Sequence, residues 1–293
     1  MKMLILFKKR RGGVGSAVED ICNGFKKERD IVKTISREDD LKIFSLVKSI
    51  FPIRKLIKKL MKEEKYDIIY TQDWSLTFPL LFPSRLFRDK HFSVFYGEDN
   101  SKLSIFFQDL IGKKMGARLI VCNDHLKKRF QKSTLIYNRV DINKFKPSKK
   151  VKRIKNSVGF ANWQTNEYNF NKIKDAVEAI GGKLRVTGKI PKEKMPDFYR
   201  KLETFISLPP TYAGFGLVYL EAMASGVPKI IGSNYGGGEI LPITKIENFG
   251  SIKEAILNAK TTNYREWIIK NNFTWENAVK KLKGIFKDGI KDN

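Results

Sequence analysis

Short apolar runs alternate with segments of helical period along this chain. The rhythm breaks once and then resumes. Met3-Leu4-Ile5-Leu6-Phe7 reads as a buried strand, and a basic glycine-rich turn, Arg10 to Ser16, leads into a helix with Val18, Ile21, Cys22 and Phe25 on one face. Further strands are predicted at Ile31–Ile35, Tyr66–Thr71, His91–Tyr96, Ala117–Cys122 and Thr134–Tyr137, most of them separated by helical segments. Strands alternating with helices imply a parallel sheet covered on both faces. Lys144-Phe145-Lys146-Pro147-Ser148-Lys149-Lys150 interrupts the pattern with proline and charge. Beyond it come strands at Ser157–Ala161, Lys183–Gly188, Thr204–Leu208 and Pro228–Gly232, helices at Phe170–Ile180, Lys194–Leu202 and Gly216–Ala224, and two or three closing helices between Ile252 and Ile290. The expectation is two doubly wound α/β domains, 1–147 and 148–293, facing each other across a cleft where the strand ends meet, with the last helix able to cross back to the first domain.

The length of 293 residues suits two such cores. Charge is the unusual feature of the composition. Lysine and arginine number 57 against 31 acidic residues, a formal net charge of +26, and residues 1–150 carry 34 of those basic residues against 17 acidic ones. Such a field favours anionic partners: nucleotide diphosphates, anionic lipid headgroups or nucleic acid. A lysine-rich compositional bias gives the same counts. No nucleic-acid motif is visible, which makes nucleic acid the least favoured of the three.

Two cysteines, Cys22 and Cys122, make no disulfide framework and point to a reducing compartment, so a cytoplasmic protein is expected. Two histidines, His91 and His125, argue against a histidine-based metal site. The apolar start followed by Lys8, Lys9, Arg10 and Arg11 reverses the charge order of a signal peptide. No apolar run approaches the length of about 18 residues needed to span a bilayer.

The stretch from Leu208 to Pro228, LPPTYAGFGLVYLEAMASGVP, carries the most chemical information. A strand ends at Leu208, a loop with Gly214 and Gly216 follows, and a helix starts near Gly216. Backbone N–H groups and the positive dipole end at such a helix start suit a diphosphate, and glycines let the ligand approach the backbone. Glu221, in the first two turns, could accept two hydrogen bonds from a ribose diol. A plain strand–loop–helix corner with Glu221 on a solvated face fits the same spacing.

This stretch resembles the donor-site signature of family 4 glycosyltransferases (glycosyl transferases group 1), written E-x7-E-A-M-A-x-G-x-P. The segment Ile136-Tyr137-Asn138-Arg139-Val140-Asp141-Ile142-Asn143-Lys144-Phe145-Lys146-Pro147 is similar to that family's I-x-N-G-V-D-x-x-x-F-x-P hinge, and Gly236-Gly237-Gly238-Glu239-Ile240 to its G-G-x-x-E loop. Weaker echoes are Tyr66-Asp67-Ile68-Ile69-Tyr70 and the Gly12-Gly13 turn. The resemblance implies the GT-B fold, two Rossmann-like domains with acceptor on the N-terminal one and nucleotide-sugar donor on the C-terminal one. It also implies retention of configuration and no metal. The absence of a D-x-D triplet agrees with that. By the same resemblance Glu221 binds the donor ribose, and Gly214, Phe215, Gly216 and Leu217 meet the sugar or diphosphate. Gly188 and Lys189 lie beside the nucleotide base, Gly12 and Gly13 approach the diphosphate from the N-terminal domain, and Glu239 stands near the donor or caps nearby N–H groups. Arg10 and Arg11 add charge at the turn or are solvated surface. No resident cofactor is implied; the nucleotide sugar is a co-substrate.

Three positions depart from the family pattern. Ala213 stands where the first glutamate of the signature belongs, and that acid contacts donor sugar hydroxyls in the family. Phe160 takes the place of the arginine of an R-x5-K pair in the region Gly159 to Gln164; Lys172, Lys174, Arg185 and Lys189 are the nearby cations. Tyr96-Gly97 replaces a histidine before glycine, and a tyrosine assigned to catalysis there can hydrogen-bond a sugar hydroxyl but not titrate like imidazole. The expected activity is sugar transfer from a nucleotide sugar to a lipid-linked or polysaccharide acceptor. The alternative is a catalytically degenerate relative that binds a sugar nucleotide or a partner enzyme without turnover. Ile53, Leu56, Ile57, Leu60 and Met61 form an apolar stripe with Arg54, Lys55, Lys58, Lys59 and Lys62 on the other faces. That pattern suits a basic amphipathic helix on an anionic inner membrane face or a helix packed on the sheet, and the run Leu76–Phe82 with Phe87 reads as core.

Overall fold

The computed structural model describes residues 1–8, 13–38, 46–82, 84, 86, 89–97, 101–161, 168–188, 190–247 and 251–291. Contacts divide it into two units, Met1–Tyr137 with Trp275–Asn293, and Asn138–Thr274. The division falls ahead of the proline- and lysine-rich stretch expected to mark it. The reason is local: the Val140 N–H donates to the Phe273 carbonyl at 3.2 Å and Val140 forms a parallel bridge with Thr274, so the segment after Tyr137 is held within the second unit.

The first unit contains β1 (Lys2–Phe7), α1 (Gly13–Lys27), β2 (Ile31–Ser36), α2 (Leu46–Glu64), β3 (Ile68–Gln72), α3 (Trp74–Thr77), β4 (His91–Phe95), α4 (Lys102–Met115), β5 (Leu119–Val121), α5 (Asp124–Arg129) and β6 (Thr134–Leu135). Its strands are parallel in the order β2-β1-β3-β4-β5-β6. Every residue of β3 and β4 is buried, as a parallel sheet covered on both faces requires. The stripe on α2 is part of that cover: Ile53, Ile57, Leu60 and Met61 pack with Leu4, Leu6 and Tyr66, so this stripe is core. Leu76 and Leu80 join the same core, while Phe82 is 46% exposed, and Phe87 lies outside the described residues.

The second unit contains β7 (Ser157–Phe160), α6 (Phe170–Ala179), β8 (Lys183–Val186), α7 (Met195–Arg200), β9 (Thr204–Ile206), α8 (Leu217–Ala224), β10 (Lys229–Gly232), β11 (Thr244–Lys245), α9 (Ile252–Asn258) and α10 (Tyr264–Lys270). Its five strands are parallel in the order β11-β10-β9-β7-β8. The short β11 was not anticipated, because two residues carry no period. The final helix, α11 (Trp275–Lys291), belongs to the first unit, where Phe286 lies 4.7 Å from the Phe92 ring and 5.7 Å from that of Tyr70.

In the first sheet the direction of winding reverses between β1 and β3; in the second it reverses between β7 and β9. Doubly wound sheets bind ligands outside the carboxyl ends of the strands at such reversals. The loop after β9 is therefore where a ligand site belongs in the second unit.

Candidate functional site

That loop is built largely from main chain. Leu208 is buried, Pro209 and Pro210 have no N–H to donate, and the Ala213 N–H turns back to the Pro210 carbonyl at 3.0 Å. Phe215 is buried and stacks on Phe273 at 6.3 Å, and its carbonyl accepts from the Asn138 amide at 3.0 Å. The Gly216 N–H donates to the Gly236 carbonyl at 2.8 Å. α8 then starts at Leu217 with Gly216 as its N-cap, and no side chain caps it. A helix start left uncapped presents its first-turn amides and the positive end of the dipole to whatever anion arrives.

The loop after β10 packs against this one. Gly237 has a φ of 97°, and a Cβ there would meet the Phe215 ring at 3.0 Å, so both backbone conformation and space demand glycine. Glu239 Oε2 accepts from the Gly237 N–H at 2.8 Å. One oxygen of this acid thus caps its own loop, the structural role anticipated for it.

Glu221 sits one turn into α8, half-buried, and Oε2 accepts from the Tyr199 hydroxyl at 2.8 Å. Tyr199, on α7, is wholly buried; burial first and the neighbouring carboxylate second push its hydroxyl well above the ordinary phenol range. It is therefore a fixed donor that orients Glu221. Sequence reasoning missed Tyr199, whose only signal is an apolar position on a short helix.

The rest of the motif is packing. Ala222, Met223 and Ala224 are fully buried. Gly226 ends α8 with φ 82°, and a Cβ there would lie 2.9 Å from Pro147. Arg265 donates to the carbonyls of Phe145 and Ala224 at 2.8 Å each and of Ile142 at 3.0 Å. The hinge-like segment and the end of the glutamate helix are thus one packed structure.

The remaining candidates lie on other elements. Gly188 follows β8, at the edge of the second sheet, with φ 48° and open space where a side chain would start. Gly13 begins α1, whereas Gly12, Lys189, Arg10, Arg11 and the segment 162–167 lie outside the described residues. Phe160 is fully buried against Phe170, rings 5.3 Å apart, so no cation stands at that position. Lys172, Lys174 and Arg185 are exposed. In the first unit, the Tyr96 hydroxyl donates to Gln72 Oε1 at 2.9 Å, and burial raises it well above its ordinary value, leaving a neutral phenol. Among the described residues no helix is long and apolar enough to cross a membrane.

Two doubly wound parallel sheets in these orders make this a GT-B fold. Residues 158–293 match the Glycosyl transferases group 1 family. The sucrose-phosphate synthase of Thermosynechococcus elongatus superposes with a TM-score of 0.77 at 14% identity, covering 100% of both chains. Anabaena HepE in complex with UDP and glucose gives a TM-score of 0.73 at 14% identity, covering 98% of this chain and 100% of that one. In sequence, the mannosylfructose-phosphate synthase of Agrobacterium fabrum is 34% identical over 82 residues, 27% of this chain and 18% of that protein.

Proposed function

We propose that this protein is a retaining, metal-independent glycosyltransferase that moves a sugar from a nucleotide-sugar donor to a lipid-linked or polysaccharide acceptor. The observation that carries the reading is the glycine-capped start of α8, open to an anion, one turn from a half-buried carboxylate that a buried tyrosine orients. On this reading the diphosphate sits against the Phe215-Gly216-Leu217 segment at the start of α8, where the Gly216 N–H is itself committed to the Gly236 carbonyl, and the fixed dipole of the helix start offsets the charge that grows as the diphosphate leaves. Glu221, steered by Tyr199, accepts from the ribose diol. Gly214 and Glu239 flank the sugar, and Gly188 and Lys189 border the base. Tyr96 serves the acceptor side as a neutral donor or acceptor of hydrogen bonds. HepE, which shares the fold, was solved with UDP and glucose, which supports a uridine nucleotide as the first donor class to try. The protein would work in the cytoplasm, peripherally at the inner membrane face.

The test is a panel of nucleotide sugars, read by thermal shift and then by donor hydrolysis with the metal chelated. A bound donor raises apparent stability. Hydrolysis that survives chelation and disappears in Glu221→Ala supports the proposal. Nucleotide binding with no product from any donor would instead mean a silent binding protein, for which Ala213 and Phe160 are the motivating residues.

A further inference from the structure

Exposed apolar side chains are not spread evenly. Phe51 (80%), Phe82 (46%), Leu103 (60%) and Phe106 (61%) all belong to the first unit. Ring contacts join Phe106 to Phe82. Phe106 lies 5.5 Å from Phe107, Phe107 lies 4.5 Å from Phe78, and Phe78 lies 5.6 Å from Phe82. The Arg54 guanidinium sits 5.5 Å over the Phe82 ring and donates to the Pro79 and Phe82 carbonyls at 2.9 and 3.2 Å, so α2 is tied to this aromatic row. Phe51 stands one turn before Arg54 on the same helical face, and exposed Lys55 and Lys58 continue that face. The surface is separate from the buried stripe on α2: it runs along that helix's opposite side and on to α4.

We propose that this aromatic row with its lysine border is the surface on which the protein rests on an anionic lipid bilayer. Rings and leucines enter the boundary between headgroups and acyl chains, while lysines reach the phosphates. Charge favours lipid over a second copy, because a self-complementary contact across this face would set one lysine border against another in a chain of net charge +26. α4 adds no opposing acid here: Asp109 is held by Arg129 at 2.9 Å. The proposal deepens the reading of a membrane-borne acceptor by naming the docking face, and vesicle binding is measured apart from sugar transfer.

The experiment is sedimentation of the full chain with phosphatidylcholine vesicles, with and without phosphatidylserine. The variants are Leu103→Ser with Phe106→Ser, Phe51→Ser, Lys55→Glu with Lys58→Glu, and the control Leu257→Ser on an exposed site of the second unit. All these positions are exposed, so folding is expected to persist and is checked by circular dichroism. Binding that needs phosphatidylserine and falls about tenfold in both the paired apolar and the paired charge variants, but not in the control, supports the surface. Loss in the charge variant alone means general electrostatic attraction and overturns it. So does a dimer, seen by sedimentation velocity, that the apolar variants dissociate. Donor hydrolysis in solution is expected to be equal in all variants. A protein that hydrolyses no donor yet binds vesicles in this pattern would sink the transferase reading and leave the docking surface standing.

Discussion

Two corners of this molecule lead from a strand into a helix and part at the residue that caps the helix. The first follows β3, the second follows β9; each leads from the carboxyl end of a strand beside a winding reversal into a helix. After β3, Asp73 turns its carboxylate onto the start of α3 and accepts from the Ser75 N–H at 2.8 Å and from the Ser75 hydroxyl. Arg37 donates to that hydroxyl at 2.7 Å, and all three side chains are buried. After β9 the same position is Gly216, which has nothing to offer the helix start. One corner has capped its helix start with its own aspartate; the other carries no side-chain cap. The identity of the N-cap decides whether a helix start holds the fold or serves function.

The comparison breaks most visibly at Glu221. Glu221→Ala should lower kcat/KM for the donor by about a hundredfold through loss of hydrogen bonds to a charged group, and steady-state kinetics would show it. Tyr199→Phe should keep most of the activity, since it removes only the orienting donor. At the first corner, Asp73→Ala strips a cap and leaves the buried Arg37–Ser75 pair without its acceptor. Urea denaturation should show a loss of about 2–3 kcal/mol with nucleotide affinity unmoved, and a parallel fall in affinity would mean the corners are not independent.

His91 supplies a pH test of the polar cluster beneath the first corner. Its ring lies 3.0 Å from Thr71 Oγ1, and burial holds it down to about 3 from an ordinary 6.5. The folded state thus refuses a proton that the unfolded state accepts, so stability is full above pH 6.5 and falls as pH drops through the window towards 3. Relative to His91→Gln, wild type should lose an extra ~1.4 kcal/mol per pH unit in that window; equal slopes would remove burial as the cause. A smaller effect than at Glu221 is expected from Gly216→Asp, which gives the second corner the N-cap of the first. A Cβ there meets the Gly236 carbonyl at 3.2 Å, so a slight shift is needed. Donor affinity by calorimetry should fall about tenfold as the new carboxylate occupies the amides, and unchanged affinity would refute the role given to the helix start.

Much of this was legible in the chain. Alternating apolar runs and helical periods announced two parallel α/β cores, because strand and helix periods are local properties of the backbone. The glycines before α8, Glu221 and the uncapped start were also visible, since all lie in one segment. What escaped was every pairing across elements: Tyr199 with Glu221, Asn138 with Phe215, Pro147 with Gly226. Such contacts depend on how helices pack, and a periodic pattern does not encode the neighbour.

The sequence by itself thus determined the winding of two sheets, the chemistry offered at one helix start and the sign of the molecule's field. Tertiary structure alone decided which apolar faces were spent on the core and which stayed in water. The stripe on α2 went inward because parallel sheets need cover on both sides, whereas Phe51 and Phe106 stayed outside with no sheet face left to meet. It also decided that Glu221 would be held by a tyrosine and that Phe160 would pack against Phe170, because packing assigns each side chain its one set of neighbours.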